Sequence, residues 1–246
     1  MRIVIFVVLG LLVAAGLALW MFPMSMAADF AAKQIPEFKY AKASGSVWDG
    51  KLTQVAFGEQ KVGDLSVKAD LLQAFTGKAS AKLGLAREGF TGDTGVTWPI
   101  GGQDITLNKF KLGGDVVNVP GMPGNVAMSG GKFTLELKEL KFAKNACQSA
   151  SGEVWTDALA KMSHKGWVGP ELRGPVTCSD GKVQVEASGK APTGEDVLAK
   201  LSISSKLDME MTASVLNAQG SAIKALTDMG FKPEGSALVI RQSIGS

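Results

Sequence analysis

The sequence predicts a mainly β protein: an N-terminal transmembrane helix, then an elongated or sandwich-like, mostly antiparallel β domain with a short C-terminal helix. Three observations predict it. The first is a charge-free run from Ile3 to Phe22, about the length that crosses a hydrocarbon core as a helix. The second is a series of short segments in which apolar and polar residues alternate. That is the period of a sheet with one face buried. The third is the glycine content, 30 of 246 residues, grouped between those segments as turns and without a collagen period.

The apolar run is read as a retained anchor. Ile3, Leu9, Leu12 and Leu17 lie within the span, and Trp20 lies near its outer end, where an indole sits at an interface. Arg2 precedes the run, and Asp29 comes before Lys33 after it. The positive-inside bias therefore puts residue 1 in the cytoplasm and the bulk of the chain outside. Two other readings stand beside this one. A signal peptide would be cleaved after Ala27, at Ser25-Met26-Ala27, but its apolar core normally spans only about 7–15 residues. A buried core helix is the third.

Residues 1–23 thus form the cytoplasmic tip and anchor, and residues 24–39 a juxtamembrane helix or linker. Met24, Ala27, Ala28, Ala31, Ala32 and Ile35 have helical spacing between Pro23 and Pro36. A first β-rich half spans 40–119 and a second spans 120–246. In the first, a turn is expected at Gly45–Asp49, with Gly50 free to take positive φ. Alternation follows at Leu65-Val67-Ala69, at Ala79-Ala81-Leu83-Leu85 and at Ile105-Leu107. It continues in the second half at Phe133-Leu135-Leu137, Val183-Val185-Ala187 and Met209-Met211-Ala213-Val215, and more weakly at Leu201-Ile203. Gly113-Gly114, Gly130-Gly131 and Asp180-Gly181 read as turns between strands. Pro120 and Pro123 suit a loop, and the stretch 113–131 reads as the seam between halves. Asp196–Lys200 reads as a single helical turn. Ser221 is a candidate cap for a helix over Ala222 to Met229 that ends at Gly230. Phe231–Gly235 then turns the chain into a last strand, Ala237 to Ile240.

Composition narrows the function. Net charge is +3 and the lysines are dispersed, with no basic block to suggest a nucleic-acid partner. Cys147 and Cys178 are expected to form a disulfide in an external compartment; the alternative is two buried thiols. With one histidine, His164, they supply too few ligands for a metal site. No nucleophile elbow, phosphate loop or dinucleotide motif is present. A carboxylate pair of Asp49 and Glu153 would require the two halves to meet there; capping of turns is the simpler role. No catalytic residue, metal or cofactor is expected.

Gly45-Ser46-Val47-Trp48-Asp49 recurs in outline as Gly152-Glu153-Val154-Trp155-Thr156-Asp157, which suggests two halves built alike. In each, the valine would enter the core and the glycine would admit close backbone. Trp48 and Trp155 would either cover a turn or dock a partner. Val47, Trp48, Asp49, Val154 and Trp155 are therefore the candidate interaction residues, and Gly45, Gly50, Gly152, Cys147 and Cys178 the structural ones.

The ordered set of motifs resembles a known family. Gly45-Ser-Val-Trp48-Asp-Gly50 after an N-terminal apolar run is similar to the opening motif of the type II secretion system protein N family. Gly63-Asp64-Leu65 through Leu71-Leu72 and Gly77 to Leu83 resembles its continuation. Cys147 ahead of Gly152–Trp155, then Cys178, is similar to its central region. Leu226 to Phe231 with Pro233-Glu-Gly235 resembles its C-terminal end. The resemblance implies a non-enzymatic accessory component of a bacterial inner membrane, single-pass, with a periplasmic β domain. Its implied partners are other secretion subunits, in the inner membrane or the outer-membrane secretin. A looser likeness, to long-groove β proteins that handle lipid, keeps an alternative open. In it, Ala79, Ala81, Met209 and Met211 would line an open groove for an apolar ligand. An open alternating face would favour the groove, and a closed sandwich would oppose it.

Overall fold

The computed structural model describes residues 22–58, 60–70, 73, 76–102, 104–118, 130–164, 167–205 and 208–244. The chain divides into two compact units, Met1–Arg87 and Glu88–Ser246.

In the Met1–Arg87 unit, helix α1 (Met24–Gln34) precedes five strands. These are β1 (Phe38–Lys39), β2 (Lys42–Gly45), β3 (Asp49–Phe57), β4 (Gln60–Asp70) and β5 (Lys78–Arg87). The order is β1-β3-β4-β5, with β2 also pairing β3, and all four of these pairings are antiparallel. Met24, Ala28, Ala31 and Ala32 are three or four residues apart, so they share one helix face. That face packs on Phe38, Leu52 and Val55 to form the core. Ala81 is buried and Ala79 half-buried on β5.

The Glu88–Ser246 unit carries the remaining strands. They are β6 (Phe90–Pro99), β7 (Ile105–Asp115), β8 (Lys132–Ala143), β9 (Ala146–Thr156), β10 (Ser163–His164), β11 (Trp167–Val168), β12 (Leu172–Ser179), β13 (Lys182–Lys190), β14 (Asp196–Ile203), β15 (Met209–Leu216), β16 (Lys232–Glu234) and β17 (Ala237–Ile244). A short 3-10 turn spans Val116–Asn118, helix α2 spans Ala158–Lys161 and helix α3 spans Ser221–Asp228. The sheet order in this unit is β6-β7-β8-β9-β12-β13-β14-β15-β17-β16, and β10 pairs with β11 apart from it.

Asp180 and Gly181 take positive φ, 53° and 72°, between β12 and β13, as the hairpin motif predicts. Register breaks interrupt β6–β7 between Asp93 and Gly95 and β8–β9 between Leu137 and Glu139, and Lys109 in β7 has φ 52°. Such bulges bend strands and increase their twist.

Alternation places one apolar face inward. Register aligns its residues in rows across the sheet. Val197, Val215 and Leu238 form one row; Ala187, Ala199, Ala213 and Ile240 the next; Val185, Leu201, Met211 and Gln242 a third. No second large sheet covers this face among the described residues. Instead Ala222, Ala225 and Leu226 of α3, with Met162 and Trp167, pack on the first row and its neighbour. Val197 and Val215 are buried there, whereas Leu201, Met209 and Met211 remain half-buried. At the other end of the face, Leu137, Leu140, Cys147, Val176 and Val183 form a second cluster. The Cys147–Cys178 disulfide links β9 to β12, with Cα atoms 5.6 Å apart.

Several expectations are corrected. The predicted membrane run, with Ile3, Leu9, Leu12, Leu17 and Trp20, lies outside the described residues apart from Phe22. Among the described residues no helix is long and apolar enough to cross a membrane. A span needs about 20 predominantly apolar residues, whereas α1 has 11 and carries Asp29, Lys33 and Gln34. On the described residues the expected transmembrane helix, and the single-pass inner-membrane placement that depended on it, are therefore corrected: these residues supply no such helix.

Asp196–Lys200 is strand, because β13 and β15 pair with it on both sides. Gly113-Gly114 lies inside β7, paired with β6 and β8, so it is no turn. At Gly114 a Cβ would stand 2.2 Å from the Gly89 carbonyl oxygen; glycine permits close backbone there. Ser221 is the first helical residue and Gly220, with φ 54°, is the cap. The other end of α3 is as predicted. Phe231 N–H donates to Leu226 O and Gly230 N–H to Thr227 O, both at 3.0 Å, the paired bonds of a Schellman cap. Residues 119–129 of the expected seam lie outside the described residues.

Candidate docking surface

The Gly45–Gly50 motif closes the turn from β2 to β3. Gly45 pairs with Gly50, and Ser46 N–H donates to Asp49 O at 3.1 Å. The Ser46 hydroxyl accepts from the N–H groups of Trp48 and Asp49, both at 3.3 Å. Only Gly45 of the two glycines has positive φ, +80°. Gly50 is buried for another reason: a Cβ there would meet Met24 Cγ at 2.8 Å and Ser46 O at 2.6 Å. The motif also holds the start of α1, since Val47 N–H donates to Phe22 O at 3.1 Å. Val47 and Trp48 are half-buried, and Asp49 faces Lys68 at 3.4 Å. Nearby, Tyr40 donates its hydroxyl to Asp29 of α1. That bond holds the phenol above its ordinary pKa.

The second motif is not an equivalent of the first. Gly152–Thr156 lies within strand β9. Val154 packs toward the inner core. At Gly152 a Cβ would lie 2.3 Å from the Glu136 carbonyl oxygen. Neighbouring strand residues face opposite ways, so Trp155 lies on the outer face, between Thr134 and Arg173. It is half-buried, and its Nε1–H donates to Glu171 Oε2 at 3.1 Å.

Trp155 borders a broad open depression of about 720 Å³ on that face. Lys109, Lys111, Lys138 and Arg173 line it against only Glu136 and Glu153. Lys111 pairs with Glu136 at 3.5 Å and Arg173 with Glu153 at 3.7 Å. Lys109 and Lys138 make no ion pair among the described residues, which leaves a cationic surplus. Sequence reading singled out Trp155 and missed these cations. Their convergence depends on register and on the bulges of β7 and β8, which single-strand patterns do not reveal.

Asp49 and Glu153 are each engaged by a cation within their own unit, so nothing described joins them as a catalytic pair. Among the described residues no group of three or more His, Cys, Asp or Glu could hold a metal ion. Both cysteines are in the disulfide. His164 has its backbone in β10, while its side chain lies outside the described residues.

Fold and surface thus define a mainly antiparallel β protein, stapled by one disulfide, with a tryptophan-bordered cationic depression on one face. A model of the type II secretion system (T2SS) protein N family matches residues 36–236, and the chain belongs to that family. Members of this family are non-catalytic accessory components of secretion, and this chain is not an enzyme. Neither a curated protein nor a solved structure gives a significant match.

Proposed function

We propose that this chain is a non-catalytic accessory component of type II secretion that works by docking another secretion subunit. The docking surface is the outer face of the Glu88–Ser246 unit around Trp155. Family membership across residues 36–236 carries the proposal. The disulfide suits the oxidising periplasm. The surface supplies the chemistry: a tryptophan held in one orientation by Glu171, beside a surplus of lysines. Buried aromatic anchors dominate many interfaces, and a cationic surplus steers an acidic partner to them. Docking on this face requires no membrane-spanning helix.

A photoreactive residue in place of Trp155, and in a second strain Trp48, tests this in cells. Adducts from position 155 to a secretion subunit are expected, and Trp155→Ala should weaken binding of that subunit roughly 30-fold. Adducts from position 48 alone would overturn the choice of surface. Adducts to no secretion subunit from either position would overturn the docking role.

A further inference from the structure

The depression beside Trp155 has two unlike ends. At one, Trp155 lies next to Thr134 and Arg173 across the strands. At the other stand Lys109 and Lys138. Asn108 pairs with Glu139 and Phe110 with Leu137, so the register sets Lys109 opposite Lys138. Both lysines are exposed and line the same depression. Like charges directly opposite on a sheet destabilise it.

Two other like-charge couples show how the fold relieves such a clash. Glu136 faces Glu153 across β8 and β9, and each has its own cation, Lys111 at 3.5 Å and Arg173 at 3.7 Å. Lys68 faces Lys82 across β4 and β5, and Lys68 is answered by Asp49 at 3.4 Å. Of these three couples, only Lys109–Lys138 has no carboxylate on either member among the described residues. Glu139, next to Lys138 in the chain, is taken by Lys141 at 3.0 Å. The backbone of Lys109 is also unusual. Its φ of 52° falls inside a strand, where a non-glycine residue rarely adopts it. Gln54, the comparable residue of β3, has Asp64 to accept its N–H at 3.1 Å; Lys109 has no such side-chain partner among the described residues. Strained residues of this kind gather at ligand clamps.

The strands fix the distance between the two ends. On β8, Thr134 neighbours Trp155, and Lys138 lies four residues further along. Four strand residues span about 13 Å. An extended segment laid along β8 turns its residues i, i+2 and i+4 toward the sheet. Residue i then meets Trp155, residue i+2 the Glu136–Glu153 couple, and residue i+4 the two lysines.

Resting on the docking reading above, we infer that the partner docks here through an extended acidic segment. An apolar or aromatic side chain sits on Trp155, and a carboxylate four residues away bridges Lys109 and Lys138. The residue midway is not acidic, because a carboxylate there would face Glu136 and Glu153. The segment lies on the face of the sheet without backbone pairing, so either chain direction serves.

The test is calorimetric titration of the purified full chain with five-residue peptides capped at both ends. Phe-Ser-Gly-Ser-Glu and its reverse carry the carboxylate four positions from the ring. Controls, in both directions, move the glutamate to the middle position or replace it with glutamine. At least one direction should bind, with both of its controls at least about tenfold weaker. The double variant Lys109→Gln, Lys138→Gln should lose about tenfold in affinity for that peptide, two exposed ion pairs at about threefold each. Its affinity for the glutamine peptide should not change. Binding should also weaken as salt rises from about 0.05 to 0.5 M. The double variant should match or exceed the parent's denaturation midpoint, since it removes repulsion; a structural role for the lysines predicts a drop. Binding that ignores the position of the carboxylate or the two lysines would overturn the inference, as would no binding at millimolar peptide. Crosslinking in cells separates this inference from the docking reading. If position 155 captures a secretion subunit and the lysine double variant leaves that yield unchanged, docking stands and the acidic segment falls. If position 155 captures none, both fall.

Discussion

Asp64 on β4 faces an irregularity in its partner strand and satisfies two of its groups. The register between β3 and β4 breaks between Leu52 and Val55, and Gln54 takes φ 52°. Asp64 Oδ1 accepts from Gln54 N–H at 3.1 Å, and Oδ2 pairs with Lys51 at 2.9 Å. Lys51, first, and the Gln54 amide hold this carboxyl below its ordinary pKa of 3.8. A depressed carboxylate stabilises the fold above its unfolded pKa, and that contribution is lost as pH falls through the folded value. Asp64→Asn should therefore be less stable than the parent at about pH 7, and the difference should shrink at about pH 2. Urea titrations at both pH values measure it. A gap of equal size at both would show that ionisation of Asp64 contributes nothing. The residue types at this bulge carried no sequence signal, because a bulge is a mismatch between two strands.

At the scale of elements, α1 on β3 shows a small residue deciding a contact. The helical spacing of Met24, Ala28, Ala31 and Ala32 was legible from sequence, as was a turn near Gly45. The reason for Gly50 was not. Its glycine serves close approach of Met24 rather than positive φ. Gly50→Ala should lift Met24 off the sheet and destabilise the protein by about 1–3 kcal/mol, the usual range for overpacking. A denaturation midpoint equal to the parent's would mean that α1 shifts without penalty. The outer face of α1 leaves Met26 and Phe30 exposed; nothing described covers them.

At the scale of the whole molecule, long-range pairing sets the architecture. The disulfide joins positions 31 apart in sequence and bridges strands adjacent in the sheet. In the chain-entropy account, closing such a loop contributes roughly 3–4 kcal/mol. The double variant Cys147→Ser, Cys178→Ser should lose stability on that scale in denaturant titrations. A loss below about 1 kcal/mol would mean that the apolar cluster around Leu137, Val176 and Val183 is sufficient without the covalent link.

The sequence by itself determined the β class, most strand faces, the Asp180-Gly181 hairpin, the Gly230 helix end and the pairing of two cysteines. All of these follow from local periods, from backbone freedom at glycine, or from there being only two thiols. Tertiary structure decided what local pattern cannot encode. Asp196–Lys200 became strand because both neighbours pair with it. Gly113-Gly114 became strand because other backbone passes close by. Ala187, Ala199 and Ala213 come from three separate strands, and only register makes them a row. Trp167 lies between Gly166 and Gly169 in a stretch with no clear period, so its burial emerges only once α3 and the sheet enclose it.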